Sequence, residues 1–167
     1  MKNVMDKKKP DDGHRPLKRE SETPSYRTME IILEEFKNAV QGFSYLVNLD
    51  WISLQGTMDD RMIDGLENGM VQKFEYTIEL CWKLIKKFLL QEDGIDAKTP
   101  KQSIKEFYNA GYIDEDDYLV LVDMINDRNK LSHIYDGAEF RKILRRFSEY
   151  LKVFEKSIRV ISERRSG

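Results

Sequence analysis

The sequence predicts an all-α fold, an antiparallel four-helix bundle with one additional short helix. Three observations carry this. Apolar residues recur at spacings of three and four along four long stretches, the signature of amphipathic helices. Capping residues and glycines punctuate those stretches where helices should start and stop. No segment alternates apolar and polar residues beside turn signals as a strand would, no internal repeat is visible, and no Gly-rich loop is present to cradle phosphate.

Taken in order, residues 1–27 hold three of the four prolines, Gly13, His14 and almost nothing large and apolar. This reads as a flexible basic tail ahead of a helical-bundle domain spanning 28–165. A first helix is expected from about Thr28 to Leu49, with Ile32, Phe36, Ala39 or Val40, Phe43 and Leu46 or Val47 on one face. After Trp51 the pattern weakens through Gly56, Asp59 and Asp60, and Gly65 and Gly69 loosen the next stretch. A loop of irregular shape is expected there. The second helix is placed at about Met70 to Gln91, on the stripe Val71, Phe74, Ile78, Cys81, Ile85 and Phe88. Asp93-Gly94 stops it.

Thr99-Pro100-Lys101-Gln102 announces the short helix, with Thr99 as N-cap, Pro100 at the first position and Gln102 completing a capping box. Ile104, Phe107 and Tyr108 form its packing side, and Gly111 ends it. Asp114 caps the next helix. Asp136 and Glu139 then open the last one, whose apolar side is Phe140, Ile143 or Leu144, Phe147, Leu151, Phe154, Ile158 and Ile161.

With 167 residues, 40% hydrophobic and 35% charged, the chain suits one soluble domain. Its longest apolar run, Tyr118 to Val122, cannot span a bilayer. No signal peptide is visible, and Cys81, the one cysteine, has no intrachain partner, so a cytoplasmic location is expected. The net charge of −2 divides into +3 over residues 1–27 and −5 over the rest. Such a body does not advertise general nucleic-acid affinity, though it leaves room for RNA at one local basic site. The Lys7-Lys8-Lys9 run reads as part of a solvated tail.

The candidate site lies at the end of the fourth predicted helix. Its stripes Tyr118, Val122, Ile125 and Leu121, Ile125 run on into Arg128, Asn129, Ser132 and His133, where leucines would be expected. Buried polar groups are costly unless paired. Either a polar network or a ligand-facing cleft is therefore expected there, with those four side chains on the inward half. Arg supplies a forked, permanent cation for phosphate, and His exchanges protons near neutral pH. Together they suffice for metal-free RNA cleavage, but one histidine cannot easily serve as both base and acid. A symmetric dimer supplies two. Arg128 and His133 are five residues apart, so they converge only if the helix frays or a second subunit supplies the complement.

Other constellations are weaker. Glu75 and Glu79 share a face, but a dimetal bundle needs Glu-x-x-His repeats that are missing. Zinc would find only Cys81 and His133. No metal and no cofactor are expected, and the two glutamates read as surface charge or as partners for Arg128 or Lys83. Glu79 and Lys83 stand at a favourable helical spacing of four. Phe74, Tyr76, Trp82 and Phe88 sit mostly at core spacing, Tyr76 being the exception. Spare apolar surface on the long helices suggests a homodimer.

Three blocks in this order resemble the nucleotidyltransferase substrate-binding proteins, a branch of the HEPN superfamily. They are Gln72-Lys73-Phe74-Glu75-Tyr76-Thr77-Ile78-Glu79-Leu80-Cys81-Trp82-Lys83, then Thr99-Pro100 through Ala110-Gly111-Tyr112-Ile113, and Asp127-Arg128-Asn129 through Ser132-His133-Ile134-Tyr135. The resemblance covers about residues 30–160, with Lys73 where the family commonly has Arg. It implies a HEPN-like helical-bundle homodimer encoded beside a minimal nucleotidyltransferase. It further implies a metal-independent ribonuclease toxin using Arg128 and His133, with Asn129 in the polar place after the arginine. Tyr135 would then be the acceptor of adenylate from the partner, which acts as antitoxin. The family's older label implies instead a non-catalytic subunit that binds nucleotide or another substrate for a separate nucleotidyltransferase.

Overall fold

The structure, a computed structural model, describes residues 24–134 and 137–166, with side chains from 28 to 134 and from 137 to 164. Six helices run in succession: α1 Pro24–Val47, α2 Trp51–Thr57, α3 Asp60–Glu92, α4 Pro100–Asn109, α5 Glu115–Leu131 and α6 Gly137–Ser166. Among the described residues there is no strand, so the fold is all-α. The tail up to residue 23 lies outside the described residues. Residues 24–27, counted with that tail in the sequence, belong to α1.

The loop expected between Trp51 and Met70 is instead helical. Asp50 caps α2, its carboxylate accepting from the Ser53 backbone N–H at 3.1 Å. Asp59 caps α3 by accepting from the Met62 N–H at 2.9 Å. Each cap satisfies a donor that a helix start would otherwise leave orphaned. The third helix thus begins ten residues before the expected position and runs straight through Gly65 and Gly69. Each interior glycine costs about 1 kcal/mol relative to alanine, too little to break a helix capped at its start and packed in the core from Met70 onward.

The remaining punctuation agrees closely with the sequence. Gly94, at φ +69°, ends α3 and Gly111, at φ +79°, ends α4, both in the left-handed region that glycine enters without steric cost. Thr99 accepts from the Gln102 N–H at 3.2 Å. The Gln102 side chain reaches back to the N–H of Lys98 at 2.9 Å, one residue earlier than a standard capping box requires. Asp114 caps α5 by accepting from Asp117 N–H at 2.9 Å and also accepts from Lys156 of α6 at 2.8 Å. These contacts hold its carboxyl below the ordinary carboxylate range.

Helices α1, α3, α5 and α6 close a ring: α1 packs on α3 and α6, and α5 on α3 and α6. Neighbours in the ring run in opposite directions. Phe36 meets Phe154 while Phe43 meets Phe147 across α1 and α6, and Asp127 meets Tyr150 while Asp114 meets Lys156 across α5 and α6. Across the diagonal, α3 and α6 share the centre. The Phe74 ring lies 4.8 Å from Phe147, 5.5 Å from Tyr150 and 6.1 Å from Phe43, all four fully buried. Aromatic clusters at these distances add packing energy beyond the area they bury. Phe74 and Phe88 are core residues as their spacing implied, and Tyr76 is exposed. Cys81 is buried in α3, and burial pushes its thiol well above the ordinary range, which leaves it unreactive.

Candidate functional site

The last two turns of α5 are clamped from below. Asp127 is 2% exposed, accepting the Tyr150 hydroxyl at 2.7 Å and the Arg146 guanidinium at 2.9 Å. Arg146 also pairs with Asp123 one turn earlier, and its guanidinium lies 5.3 Å from the Tyr150 ring centroid. Two acids four apart on α5 therefore face an arginine and a tyrosine four apart on α6. Every polar group in this buried patch has a partner, which is the condition under which such a network is tolerated.

This corrects the expected inward set. Asn129, Ser132 and His133 are exposed and Arg128 is half-exposed, while the buried polar residue is Asp127. The apolar stripe Leu121, Met124, Ile125 drifts as a 3.6-residue period must, and its continuation falls on Asp127 and Arg128 rather than on Asn129 and Ser132. The spacing Asp123/Asp127, opposite Arg146/Tyr150, was the signal available in the sequence.

Tyr150 carries a testable consequence. Burial, and then its hydrogen bond to the Asp127 carboxylate, raise its hydroxyl above the ordinary tyrosine value of 10.0. Below that value the group is protonated folded and unfolded, and its contribution to stability is fully present. As pH rises past it, the unfolded chain releases the proton first, so stability falls. Urea midpoints measured between about pH 8 and about pH 11 should therefore decline. They should decline less steeply in Tyr150→Phe, with Cys81 and Tyr112, also shifted upward, supplying the remainder.

Above the clamp, Arg128 faces a cleft of about 270 Å³ between α3, α4 and α5, lined by Glu79, Trp82, Lys101 and Asn129 among others. The Arg128 Nη2 lies 3.7 Å from Glu79 Oε1, and its Nη1 donates to Asn129 Oδ1 at 3.2 Å. The Trp82 indole N–H donates to the other Glu79 oxygen. Glu79 is thus turned toward Arg128 and Trp82. No ion pair joins it to Lys83, whose ammonium lies 5.8 Å from the Trp82 ring. Trp82, expected in the core, is half-buried and lines the cleft. Glu75, one turn before Glu79, is half-buried and does not line it.

Helix α5 ends at Leu131, and Ser132 and His133 form the turn after it, the His133 N–H donating to the Lys130 carbonyl at 2.8 Å. Within one chain no hydrogen bond joins His133 to Arg128 among the described residues. Tyr135 and Asp136 lie outside the described residues. Among the described residues no three His, Cys, Asp or Glu side chains gather as a metal would need, and no helix is long and apolar enough to cross a membrane.

Two solved structures share this fold. A crystal structure of a protein from Thermus Thermophilus is 22% identical with a TM-score of 0.66, covering 75% of this chain and 98% of its own. A mutant of the toxin-antitoxin MntA-HpeT is 15% identical with a TM-score of 0.67, covering 82% and 98%. No curated protein matches. Residues 31–163 match the family described as nucleotidyltransferase substrate binding protein like. With all three sequence blocks inside that span, the chain belongs to the nucleotidyltransferase substrate-binding protein family.

Proposed function

We propose that this protein is the HEPN-type partner of a separate minimal nucleotidyltransferase, and that its homodimer is a metal-independent ribonuclease toxin of the cytoplasm. The observation that carries the reading is the end of α5. There Arg128, Asn129 and His133 reach solvent beside a cleft, on a helix whose last turns are held by the buried Asp127. Polar groups left facing water above a satisfied buried network are available to a ligand. The likeness to a toxin-antitoxin structure supports the same reading.

In the proposed reaction, His133 of one subunit takes the proton of an RNA 2′-hydroxyl, and that oxygen attacks the adjacent phosphorus. The bond from phosphorus to the 5′-oxygen breaks, and His133 of the second subunit protonates the leaving oxygen. Arg128 stabilises the charged phosphorane with its forked donors. Asn129 and Ser132 supply supporting hydrogen bonds, and Glu79 holds Arg128 in place. The products are a 2′,3′-cyclic phosphate and a 5′-hydroxyl, with no metal and no net oxidant. Tyr135 is the proposed acceptor for adenylate from the partner.

The test is cleavage of a mixed cellular RNA pool by the purified chain in EDTA. Cleavage leaving 2′,3′-cyclic phosphate ends is the expected result. A folded, unmodified dimer that leaves the pool intact would overturn it. One observation favours a second reading, in which the chain only binds nucleotide for its partner. The cleft joins the Trp82 ring to the Arg128 cation, the pairing that holds a base and a phosphate. That reading predicts binding and a stable complex with the nucleotidyltransferase, without cleavage.

A further inference from the structure

A second cavity, of about 370 Å³, opens between α2, the start of α3 and the start of α6. It exists because α2 packs on α3 alone, which leaves a gap between α2 and α6. Its size falls in the range of small-molecule sites, and its lining is divided evenly between apolar and polar side chains, more polar than such sites usually are. Met70 and Phe147 are buried in the floor, and Leu144 and Trp51 stand beside them. The Trp51 indole N–H is already satisfied by the Leu46 carbonyl at 3.2 Å, which fixes the ring in place.

Arg141 and Arg145, one turn apart on α6, both line this cavity. No ion pair holds Arg145 among the described residues, although the neighbouring Arg146 has two. The single carboxylate in the lining is Glu67, half-buried. Burial and the nearby Asp64 raise its pKa, while Arg141 acts in the opposite sense. One carboxylate against two guanidinium groups leaves the lining with an excess of positive charge. A carboxylate ligand needs only one arginine, whereas a phosphomonoester carries close to two negative charges and three acceptor oxygens, enough for both.

We propose that this cavity binds a nucleoside monophosphate, its phosphate on Arg141 and Arg145 and its flat base against Trp51 and Leu144. The site is distinct from the Arg128 cleft and does not depend on ribonuclease activity. The probe is AMP, titrated calorimetrically into the full chain beside adenosine and inorganic phosphate. AMP should bind one per chain and more tightly than either fragment. The Arg141→Ala/Arg145→Ala double variant should bind about tenfold more weakly or worse. Both arginines are exposed, so this variant should melt as the parent does. Glu67→Gln should tighten binding by removing the competing charge. A 5′-phosphorylated oligonucleotide that displaces AMP would assign the ligand to RNA ends, and one that does not would assign it to free nucleotide. AMP affinity unaltered in the double variant, or no binding at millimolar AMP by protein with a cooperative melt, overturns the proposal.

Discussion

Replacing Asp127 with alanine is expected to destabilise the protein by about 3 kcal/mol, the lower end of what breaking a buried charged pair costs. The lower end applies because Arg146 keeps its second partner, Asp123, and is itself partly exposed. The Tyr150 hydroxyl has no such alternative. It is fully buried and would lose its acceptor, a penalty of about 1–3 kcal/mol by itself. Tyr150→Phe alone should cost about 1 kcal/mol. Adding it to the Asp127→Ala background should cost almost nothing, because the orphaned hydroxyl leaves with it. Urea unfolding of the four proteins gives the coupling directly. A loss below about 1 kcal/mol for Asp127→Ala would show that the clamp on α5 is only a packing contact. Asp127→Asn, which retains an acceptor for Tyr150, should fall between. The consequence extends beyond stability, because the turns that Asp127 anchors carry Arg128 and lead directly into His133.

On the proposed ribonuclease reading, His133→Ala should lower the cleavage rate by about 100-fold or more, the usual contribution of a general acid–base group. Its stability should change by less than about 0.5 kcal/mol, since the side chain is exposed and makes no hydrogen bond or ion pair among the described residues. That separation of rate from stability distinguishes a reacting group from a structural one. Arg128→Lys keeps the charge but loses the planar fork, and should also cleave poorly. A heterodimer of one wild-type and one His133→Ala subunit provides the sharpest readout. If base and acid come from different chains, it should be nearly as inactive as the doubly substituted dimer. Half the parental rate would mean that each subunit works alone.

Whether a feature is legible in the sequence depends on how far away its deciding interactions lie. Helical periodicity and caps are local, and they read correctly wherever those interactions fall within a turn or two. Thr99, Asp114, Gly94 and Gly111 sit where their chemistry implies. The buried rings of Phe36, Phe43, Phe74, Phe147 and Phe154 lie on the stripes that name them. The start of α3 does not read correctly, because Gly65 and Gly69 suggest a break. The Asp59 cap and the length of the packed helix outweigh their small local cost.

The site divides along the same line. Sequence alone picks the end of α5 as the place where an apolar stripe turns polar, and it pairs Glu79 with Arg128 as one option. It does not tell which polar residue goes inside. That depends on Arg146 and Tyr150, nineteen and twenty-three residues away on another helix. Nor does it separate Trp82, at core spacing yet lining a cleft, from Phe74 at the same spacing and fully enclosed. Periodicity and capping are enough to place the helices of the four-membered ring, most of their ends and the apolar side of each. The burial of Asp127, the cleft before Arg128 and the gap between α2 and α6 arise from how the helices pack together. The physical reason is that a position at the margin of a stripe has no environment of its own until the opposing helix supplies one.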